Sequence, residues 1–260
     1  MKEYLVQSSK AALRYHDLSG AGAPILFIHG LGCASSLDYP QVAAADGLPK
    51  HRRILVDLLG SAFSDKPEEF EYSIESHAVY LQEFVEHLKL DEFYLFGHSM
   101  GGSIAISLAR RCEKRLKGIL ISEANLDSGG GFFSRRIAKY GEKAYRSFGH
   151  DETIREAREG ASTNWAAGLE SSSPVAIYRE ALSLVEGTSP SWRKTLHALN
   201  IPKTFICGEQ SLPDPDVSDL EQHDVRIEIV RNAGHSMAWE SPEGVAAAIV
   251  NGIRFSDSRS

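Results

Sequence analysis

The chain has 260 residues, of which 42% are hydrophobic and 24% are charged, a composition ordinary for a globular protein with one large core. Its formal net charge of −7 disfavours a nucleic-acid partner and an anionic membrane surface. The sequence shows neither a signal-peptide core nor an apolar run of membrane-spanning length, so we expect a cytoplasmic protein with no membrane contact. Its three cysteines are widely spaced and the histidines lack ligand spacing, so we expect neither disulfides nor a metal.

Short β-rich runs alternate with helical stripes along most of the chain, which predicts an α/β fold with a mostly parallel sheet and helices on both faces. In chain order, the predicted strands are residues 5–7, 12–16, 24–28, 53–56, 93–96, 116–121, 204–207 and 226–230. The first two are expected to form a hairpin-like pair. Apolar residues three to four positions apart predict a helix over residues 74–88. A last helix is expected to begin at Ser241 as N-cap and Pro242 in the first turn.

The alternation of strands and helices stops between residues 126 and 199. Helical patches continue there, but no strand pattern is found. We interpret residues 126–199 as a helical cap inserted into a core domain made of residues 1–125 and 200–260. Aromatic residues in such an insertion would line a substrate pocket, although burial against the core is the alternative. The residues proposed for this role are Trp165, Phe133 and Trp192.

A serine set between glycines follows the predicted strand 93–96 directly. Residues 97–102 read GHSMGG, and a helical stripe follows. A serine in a sharp strand-to-helix turn is held in a strained conformation that exposes its hydroxyl, and glycines on either side avoid collisions. The following helix directs free N–H groups at the same point. The pattern predicts Ser99 as a nucleophile and the Met100 N–H as an oxyanion donor; an ordinary glycine-rich turn is the alternative.

A serine hydroxyl becomes a good nucleophile only when a base takes its proton. His235 lies between the last predicted strand and the last helix, in a loop that a parallel sheet brings to the edge carrying Ser99, so we expect His235 to be this base. Residues 29–32 read HGLG after the strand 24–28, and we expect the Leu31 N–H to be the second oxyanion donor. His98 is expected to be structural and to point away from Ser99.

Four motifs together resemble those of the α/β-hydrolase superfamily, in the order that the family shows. They are residues 29–32 (HGLG), 57–64 (DLLGSAFS), 97–102 (GHSMGG) and 233–235 (AGH). The resemblance covers residues 24–252. It implies an eight-stranded, mostly parallel sheet, a helical cap at the insertion, and a triad of serine, acid and histidine.

The triad acid departs from the common pattern of the family that the chain resembles. Many members carry aspartate as Gly-x-x-Asp after the penultimate strand, but residues 208–211 here read GEQS. Glu123 stands at the strand end that dehalogenase-like and lactonase-like branches use for their acid. A carboxylate at the end of so apolar a strand needs a partner, which a cationic histidine would supply. We favour Glu123, and Asp214 on a longer loop is the alternative.

The leading interpretation is hydrolysis of a small carboxylic ester or lactone through an acyl-enzyme on Ser99, with no cofactor. Serine at this position disfavours dehalogenase and epoxide hydrolase chemistry, since the resembling branches use aspartate there. Hydrolysis of a carbon–carbon bond in a diketone-like metabolite is one alternative, and a slow or non-catalytic ligand receptor on the same scaffold is another. The expected partner is a small-molecule substrate, and a homodimer is left open.

Overall fold

The computed structural model describes residues 1–259, and within them eight strands form one sheet. The strands are β1 (Lys2–Leu5), β2 (Ala12–Leu18), β3 (Gly22–Ile28), β4 (His51–Asp57), β5 (Phe93–His98), β6 (Leu116–Ser122), β7 (Lys203–Gly208) and β8 (Val225–Val230). Their spatial order is β1-β2-β4-β3-β5-β6-β7-β8. Strand β2 is antiparallel to both of its neighbours, and all other neighbouring pairs are parallel. The predicted α/β fold with a mostly parallel eight-stranded sheet is confirmed.

Helices cover both faces of the sheet and one of its edges. They are α1 (Ser35–Asp38), α2 (Pro40–Ala44), α3 (Ile74–His87), α4 (Met100–Cys112), α5 (Phe132–Ala138), α6 (Glu142–Ala144), α7 (His150–Glu159), α8 (Thr163–Glu170), α9 (Pro174–Glu186), α10 (Trp192–Ala198), α11 (Val217–Gln222), α12 (Met237–Glu240) and α13 (Pro242–Asp257). A π-helical turn, Tyr145–Gly149, joins α6 to α7. Among residues 1–259, no helix combines the length and apolarity needed to cross a bilayer.

The alternation of side chains along the central strands builds two hydrophobic cores, one on each face of the sheet. In β5, Phe93 and Leu95 belong to the core beneath α3 and α4, whereas Tyr94 and Phe96 belong to the core beneath α13. All four side chains are almost completely buried. Each contributes roughly 1.5–3 kcal/mol on burial, which explains why near-continuous apolar runs form the interior strands.

Two helix starts show how local sequence sets the element boundaries. Ser73 precedes α3, and its hydroxyl accepts a hydrogen bond from the Ser76 N–H. Pro242 occupies the first turn of α13, where its missing N–H costs nothing. Ser241 is the residue before α13 as predicted, but its side chain makes no capping hydrogen bond.

The order of the strands creates a crevice at the carboxyl end of β3 and β5. The chain passes from β3 outward to β4 and then returns across β3 to β5, so the loops after β3 and β5 diverge. Open α/β sheets bind ligands at such switch points. Leu31 follows β3 and Ser99 follows β5, so the topology brings both predicted site segments to this crevice.

Residues between β6 and β7 contain helices α5 to α10 and, within the described chain, no strand. Several of these helices share a small hydrophobic cluster of their own, which includes Ile137, Tyr145 and Ile177. Trp165 and Leu31 pack against that cluster, so the insertion touches the loop after β3. The domain boundaries at residues 126 and 199 stay a prediction.

A buried polar contact joins the insertion to the core. The Glu180 carboxyl of α9 lies 3.0 Å from His77 Nε2 of α3, and both side chains are fully buried. Burial raises the pKa of Glu180 to about 8 and lowers the pKa of His77 to about 3. Both groups are therefore neutral near pH 7, because each charged form would lose its hydration.

Candidate active site

Ser99 occupies the tight turn between β5 and α4. Its backbone has φ 53° and ψ −121°, a left-handed conformation that a non-glycine residue adopts only under strain. The Ser99 N–H donates to the Ser122 carbonyl at 2.8 Å, which ties the turn to the neighbouring strand. The serine side chain therefore faces the carboxyl edge of the sheet, as the sequence pattern predicts.

The glycines around this turn are required by space. A Cβ atom added to Gly97 would lie 2.3 Å from the Gly101 carbonyl oxygen. One added to Gly101 would lie 2.3 Å from the carbonyl oxygen of Ile28 in β3. Both distances are far inside van der Waals contact, and the clash would be with backbone rather than with a flexible side chain. The glycines of the GxSxG pattern are required because the backbones of β3, β5 and the start of α4 approach closely here.

Glu123 and His235 are brought together from distant parts of the chain. Glu123 directly follows β6, and its Oε2 lies 2.6 Å from His235 Nδ1. Its other oxygen, Oε1, accepts a 2.9 Å hydrogen bond from the Gly208 N–H at the end of β7. The Glu123 side chain is 9% exposed, whereas His235 is 54% exposed. The carboxylate is thus held on both oxygens, and it orients an accessible imidazole.

Glu123 is ionised near neutral pH. Burial alone would raise the pKa of Glu123, but hydrogen bonds from His235, the Gly208 N–H and Ser211 outweigh it and bring the pKa to about 2. An ionised carboxylate only accepts hydrogen bonds, so Nδ1 of His235 carries the proton in this contact. This leaves Nε2 of His235 as the nitrogen free to accept a proton.

Ser99 and His235 line the same cavity, whose volume is about 780 Å³. No hydrogen bond joins their side chains in the part of the chain that the structure describes. The cavity lies between the strand ends of the core and helices α5 and α8 of the insertion. Its wall includes Gly30, Leu31, Cys33, Asp38, His98, Ser99, Glu123, Asn125, Phe132, Phe133, Trp165, Asp214, His235, Trp239 and Glu240.

The loop after β3 lies against the nucleophile turn and is held by the insertion. The Leu31 carbonyl accepts a 2.8 Å hydrogen bond from the Trp165 indole N–H of α8. A Cβ atom added to Gly168 of α8 would lie 2.2 Å from the Gly32 carbonyl oxygen, so the helix packs directly on this loop. Met100 is the first residue of α4, where a backbone N–H has no partner within the helix. Both predicted donor residues therefore flank the Ser99 turn.

Two of the three aromatic residues proposed for substrate binding line the cavity. Phe133 and Trp165 are in its wall, with ring centroids 4.2 Å apart. The prediction for Trp192 is wrong: this side chain is 1% exposed and belongs to the main hydrophobic core. Its indole N–H donates to Ser107 of α4 at 3.2 Å. Trp192 starts a helix that packs on α4, and its ring therefore anchors the end of the insertion.

Asp214, the alternative acid, also lines the cavity but is engaged elsewhere. Its Oδ1 accepts a 2.8 Å hydrogen bond from the Asp216 N–H, and no contact within hydrogen-bonding distance joins it to His235 among the described residues. The loop that carries Asp214 folds on itself, since this hydrogen bond spans two residues. The geometry therefore pairs His235 with Glu123.

We expected His98 to point away from Ser99, but this residue lines the cavity. Its ring lies beside that of His235, with centroids 4.7 Å apart, and its Nδ1 is 2.8 Å from the Ser122 hydroxyl. Burial, and then the nearby His235, lower the pKa of His98 to about 3, so the ring is neutral. His29 holds the loop after β3 by hydrogen bonds, since its Nδ1 donates to the Gly30 carbonyl and its Nε2 accepts from the Leu58 N–H.

Sequence reasoning missed a second polar group in the cavity wall. The Trp239 indole N–H donates to Asp38 Oδ1 at 2.9 Å, and the Cys33 thiol lies beside the same carboxylate. Burial raises the pKa of Cys33 well above its ordinary value, so this cysteine remains a thiol. Position is the signal that could have found these residues: each lies within a few residues of the HGLG or AGH motif, in loops at the same sheet edge.

One group of side chains outside the cavity has the composition of a metal site. Potential ligand atoms of His197, Asp219 and His223 lie within 4.8 Å of one another. Arg193 already donates to Asp219 at 2.8 Å, and a guanidinium in that place opposes a bound cation. The two imidazoles stack at 3.7 Å. The group belongs to the contact between α10 and α11, and we assign it no chemistry.

Residues 23–151 match the family model described as the alpha/beta hydrolase fold. Over 114 residues the chain is 34% identical to haloalkane dehalogenase 2 of Mycobacterium bovis, covering 44% of this chain and 39% of that protein. Over 110 residues it is 30% identical to 2-hydroxy-6-oxo-2,4-heptadienoate hydrolase of Pseudomonas putida, covering 42% of this chain and 40% of that protein. The match thus spans about two fifths of the length of these curated relatives.

A solved structure extends the similarity along the whole chain. The thermophilic esterase from Thermogutta terrifontis superposes with a TM-score of 0.78, covering 98% of each chain at 22% sequence identity. At that identity the similarity establishes the fold and not the substrate. Together, the matching family model, the sheet topology and the motifs at its carboxyl edge show that this chain belongs to the α/β-hydrolase superfamily.

Proposed function

We propose that the protein hydrolyses a carboxylic ester or lactone of a small organic molecule through an acyl-enzyme on Ser99. The observation that carries this proposal is the 2.6 Å contact between His235 and the ionised Glu123, in the cavity that Ser99 lines. A neutral imidazole with its Nδ1 proton held by a carboxylate presents Nε2 as a base. The strained Ser99, which lines the same cavity, is the group whose proton that base takes.

In the proposed reaction, Nε2 of His235 takes the Ser99 proton as Oγ bonds to the substrate carbonyl carbon. The carbonyl π electrons move to oxygen, and the N–H groups of Leu31 and Met100 stabilise the resulting oxyanion. The tetrahedral intermediate then collapses, the alkoxide leaves, and it receives the proton from His235. Water, deprotonated by the same histidine, attacks the acyl-enzyme and releases the acid.

A contact beside one of the proposed oxyanion donors supports this role. The Trp165 indole N–H donates to the Leu31 carbonyl at 2.8 Å, which fixes the Leu31–Gly32 peptide next to the one that contains the Leu31 N–H. Donors that are held in place before the reaction need no reorganisation as charge develops. The distance between Ser99 and His235 is expected to shorten on substrate binding, since such hydrogen bonds are commonly long without a ligand.

The test is intact-mass spectrometry after incubation with a small fluorophosphonate. We expect one adduct on the wild-type chain and none on Ser99→Ala. Ser162→Ala is the matched control, because Ser162 also lines the cavity and is not part of the proposed triad; it should still be labelled. Absence of an adduct on the wild type, or an adduct that survives Ser99→Ala, would overturn the proposal.

A second candidate is the hydrolysis of a carbon–carbon bond in a diketone-like metabolite by the same three residues. It is favoured by the matched stretch of the Pseudomonas putida hydrolase, at 30% identity over 110 residues. Turnover of small esters compared with that of a vinylogous diketone separates the two reactions. Adduct formation at Ser99 without turnover of either class would favour a ligand receptor on this scaffold.

A further inference from the structure

The cavity wall is asymmetric in charge. It includes the carboxylates of Asp38, Glu123, Asp214 and Glu240. No lysine or arginine of residues 1–259 belongs to it. Glu123 is paired with His235, which leaves the other three carboxylates to act on a bound molecule.

These three carboxylates have only uncharged partners. None of them forms an ion pair with another described residue, and each accepts a hydrogen bond from an uncharged N–H group at 2.7–2.9 Å. The donors are the Trp239 indole for Asp38, the Asp216 backbone for Asp214 and the Gly234 backbone for Glu240. An N–H group orients a carboxylate but does not cancel its charge. Burial raises the pKa of both Asp38 and Asp214, so the negative potential of the cavity comes from the part of its charge that remains ionised at the working pH.

Three arginines lie near the cavity but outside its wall, and one of them, Arg135 of α5, is exposed and within residues 1–259 donates only to the Gly130 carbonyl, at 2.8 Å. Arg193 donates to three aspartates, including Asp216 at 2.6 Å and Asp219 at 2.8 Å. Arg136 of α5 pairs with Glu156. Neither of these two is in the cavity wall, so neither is placed to receive an anionic group of a substrate.

Partly exposed aromatic rings line the same cavity. Phe132 is 65% exposed, Phe133 43% and Trp239 40%. Phe133 lies against Trp165 with the ring centroids 4.2 Å apart. The faces of aromatic rings attract cations, with indole the strongest. Trp239 also donates to Asp38, so at this point an aromatic ring and a carboxylate are adjacent.

We propose that the cavity selects its substrate by charge, favouring esters or lactones whose non-reacting part is an ammonium group and disfavouring those that carry a carboxylate. This inference rests on the proposed hydrolysis at Ser99. A cleft lined by one sign of charge raises the local concentration of the opposite ion by about tenfold or more. The same reasoning disfavours a dienoate, since that substrate would bring a carboxylate beside Asp38 and Asp214.

The test compares three esters of equal size. They are the butyrate esters of choline, of its uncharged tert-butyl analogue, and of a hydroxy carboxylate of matching length. We expect kcat/KM for the choline ester to exceed that for the carboxylate ester by at least about tenfold, with the uncharged ester between them. The ratio should shrink as ionic strength rises from about 0.02 M to 0.5 M, because salt screens the carboxylates. A ratio near one, or a reversed ratio, overturns the inference.

Two variants assign the effect to the cavity. Asp38→Asn keeps an acceptor for the Trp239 indole and removes one charge from the wall, so the ratio of the choline ester to the carboxylate ester should fall at least threefold. Asp91→Asn removes the same charge from an exposed residue before β5, at the opposite edge of the sheet, and should leave the ratio unchanged. An equal fall in both variants would mean that net charge, not the cavity, is responsible.

Binding to Ser99→Ala separates this inference from the proposed reaction. Calorimetry with choline and with the matching hydroxy carboxylate measures charge selection without turnover. If no ester is hydrolysed but choline binds at least about tenfold more tightly, the hydrolysis proposal fails and the charge selection stands. If the esters are hydrolysed but the two ligands bind equally and the kinetic ratio is near one, the charge selection fails and the hydrolysis stands.

Discussion

Replacing Glu123 by glutamine tests the pairing on which the proposed chemistry depends. Glu123 accepts from His235 Nδ1 on one oxygen and from the Gly208 N–H on the other. Glutamine has the same shape but one oxygen and one NH₂ group. If its oxygen stays with Gly208, the NH₂ faces Nδ1 and the imidazole must carry its proton on Nε2. If the amide turns over, two N–H donors meet at Gly208.

The magnitude follows from the pKa of Glu123. A value of about 2 in place of 4.5 corresponds to about 3.4 kcal/mol in favour of the ionised form, at 1.36 kcal/mol per pH unit. His235 supplies this preference together with the Gly208 N–H and Ser211. Loss of the His235 contribution in the transition state lowers kcat by up to about 300-fold, and a misplaced imidazole proton extends the loss toward about 10⁴-fold. KM should change little, since Glu123 acts through His235.

The assay is steady-state hydrolysis of a small activated ester, with thermal unfolding as the measure of folding. Asp214→Asn is the matched control, because Asp214 lines the same cavity and is the other candidate acid. We expect its kcat to stay within about threefold of wild type, since no described contact joins it to His235. A larger loss in Asp214→Asn than in Glu123→Gln, or a Glu123→Gln enzyme within tenfold of wild type, would refute the pairing.

Three further changes test other parts of the structure. The pKa of Glu180 is about 8 in the folded protein, above its ordinary 4.5, so the free energy of unfolding falls as pH rises between these two values. In urea unfolding, Glu180→Gln should therefore leave the free energy of unfolding unchanged at pH 5 and raise it by up to about 4 kcal/mol at pH 9. Glu186→Gln, at an exposed residue, should show no such trend. Trp165→Phe removes the hydrogen-bond donor to the Leu31 carbonyl, so kcat should fall several-fold while the free energy of unfolding falls by only about 1 kcal/mol. An unchanged kcat would count against the idea that Trp165 positions the loop after β3. Gly101→Ala should lower the free energy of unfolding by about 2 kcal/mol or more in urea and abolish labelling by the fluorophosphonate. Normal stability would show that the turn around Ser99 can relax to make room for the added methyl group.

The sheet was predictable because buried parallel strands have a strong local signal. Each of the eight predicted runs overlaps a strand, and all six that enter the parallel part lie wholly inside one. One run extends beyond its strand: the sequence predicts the first strand at residues 5–7, whereas β1 is Lys2–Leu5. A hydrophobic run marks the part of a strand that is buried on both faces, and polar residues at the ends, such as His51 and Asp57 of β4, give no such signal.

The pairing of His235 with Glu123 was predictable from topology, since both follow parallel strands and such strands end at one edge. The burial of Trp192 and the orientation of His98 were not predictable in this way. Trp192 has the composition of a pocket residue, and only the packing of α10 on α4 shows that its ring is buried in the core. The orientation of His98 depends on the Ser122 hydroxyl of the neighbouring strand, at 2.8 Å. Contacts between elements distant in sequence decide both cases.

The insertion and the catalytic edge are coupled in a way that local patterns do not reveal. Helix α8 contacts the loop after β3 through two close approaches, the Trp165 indole on the Leu31 carbonyl and Gly168 against the Gly32 carbonyl. The same helix supplies part of the cavity wall. A substrate that displaces α8 would therefore also disturb Leu31, whose N–H is a proposed oxyanion donor in the preceding peptide. It follows that substitutions in α8 which alter substrate size should change kcat as well as KM, because binding and positioning share one contact.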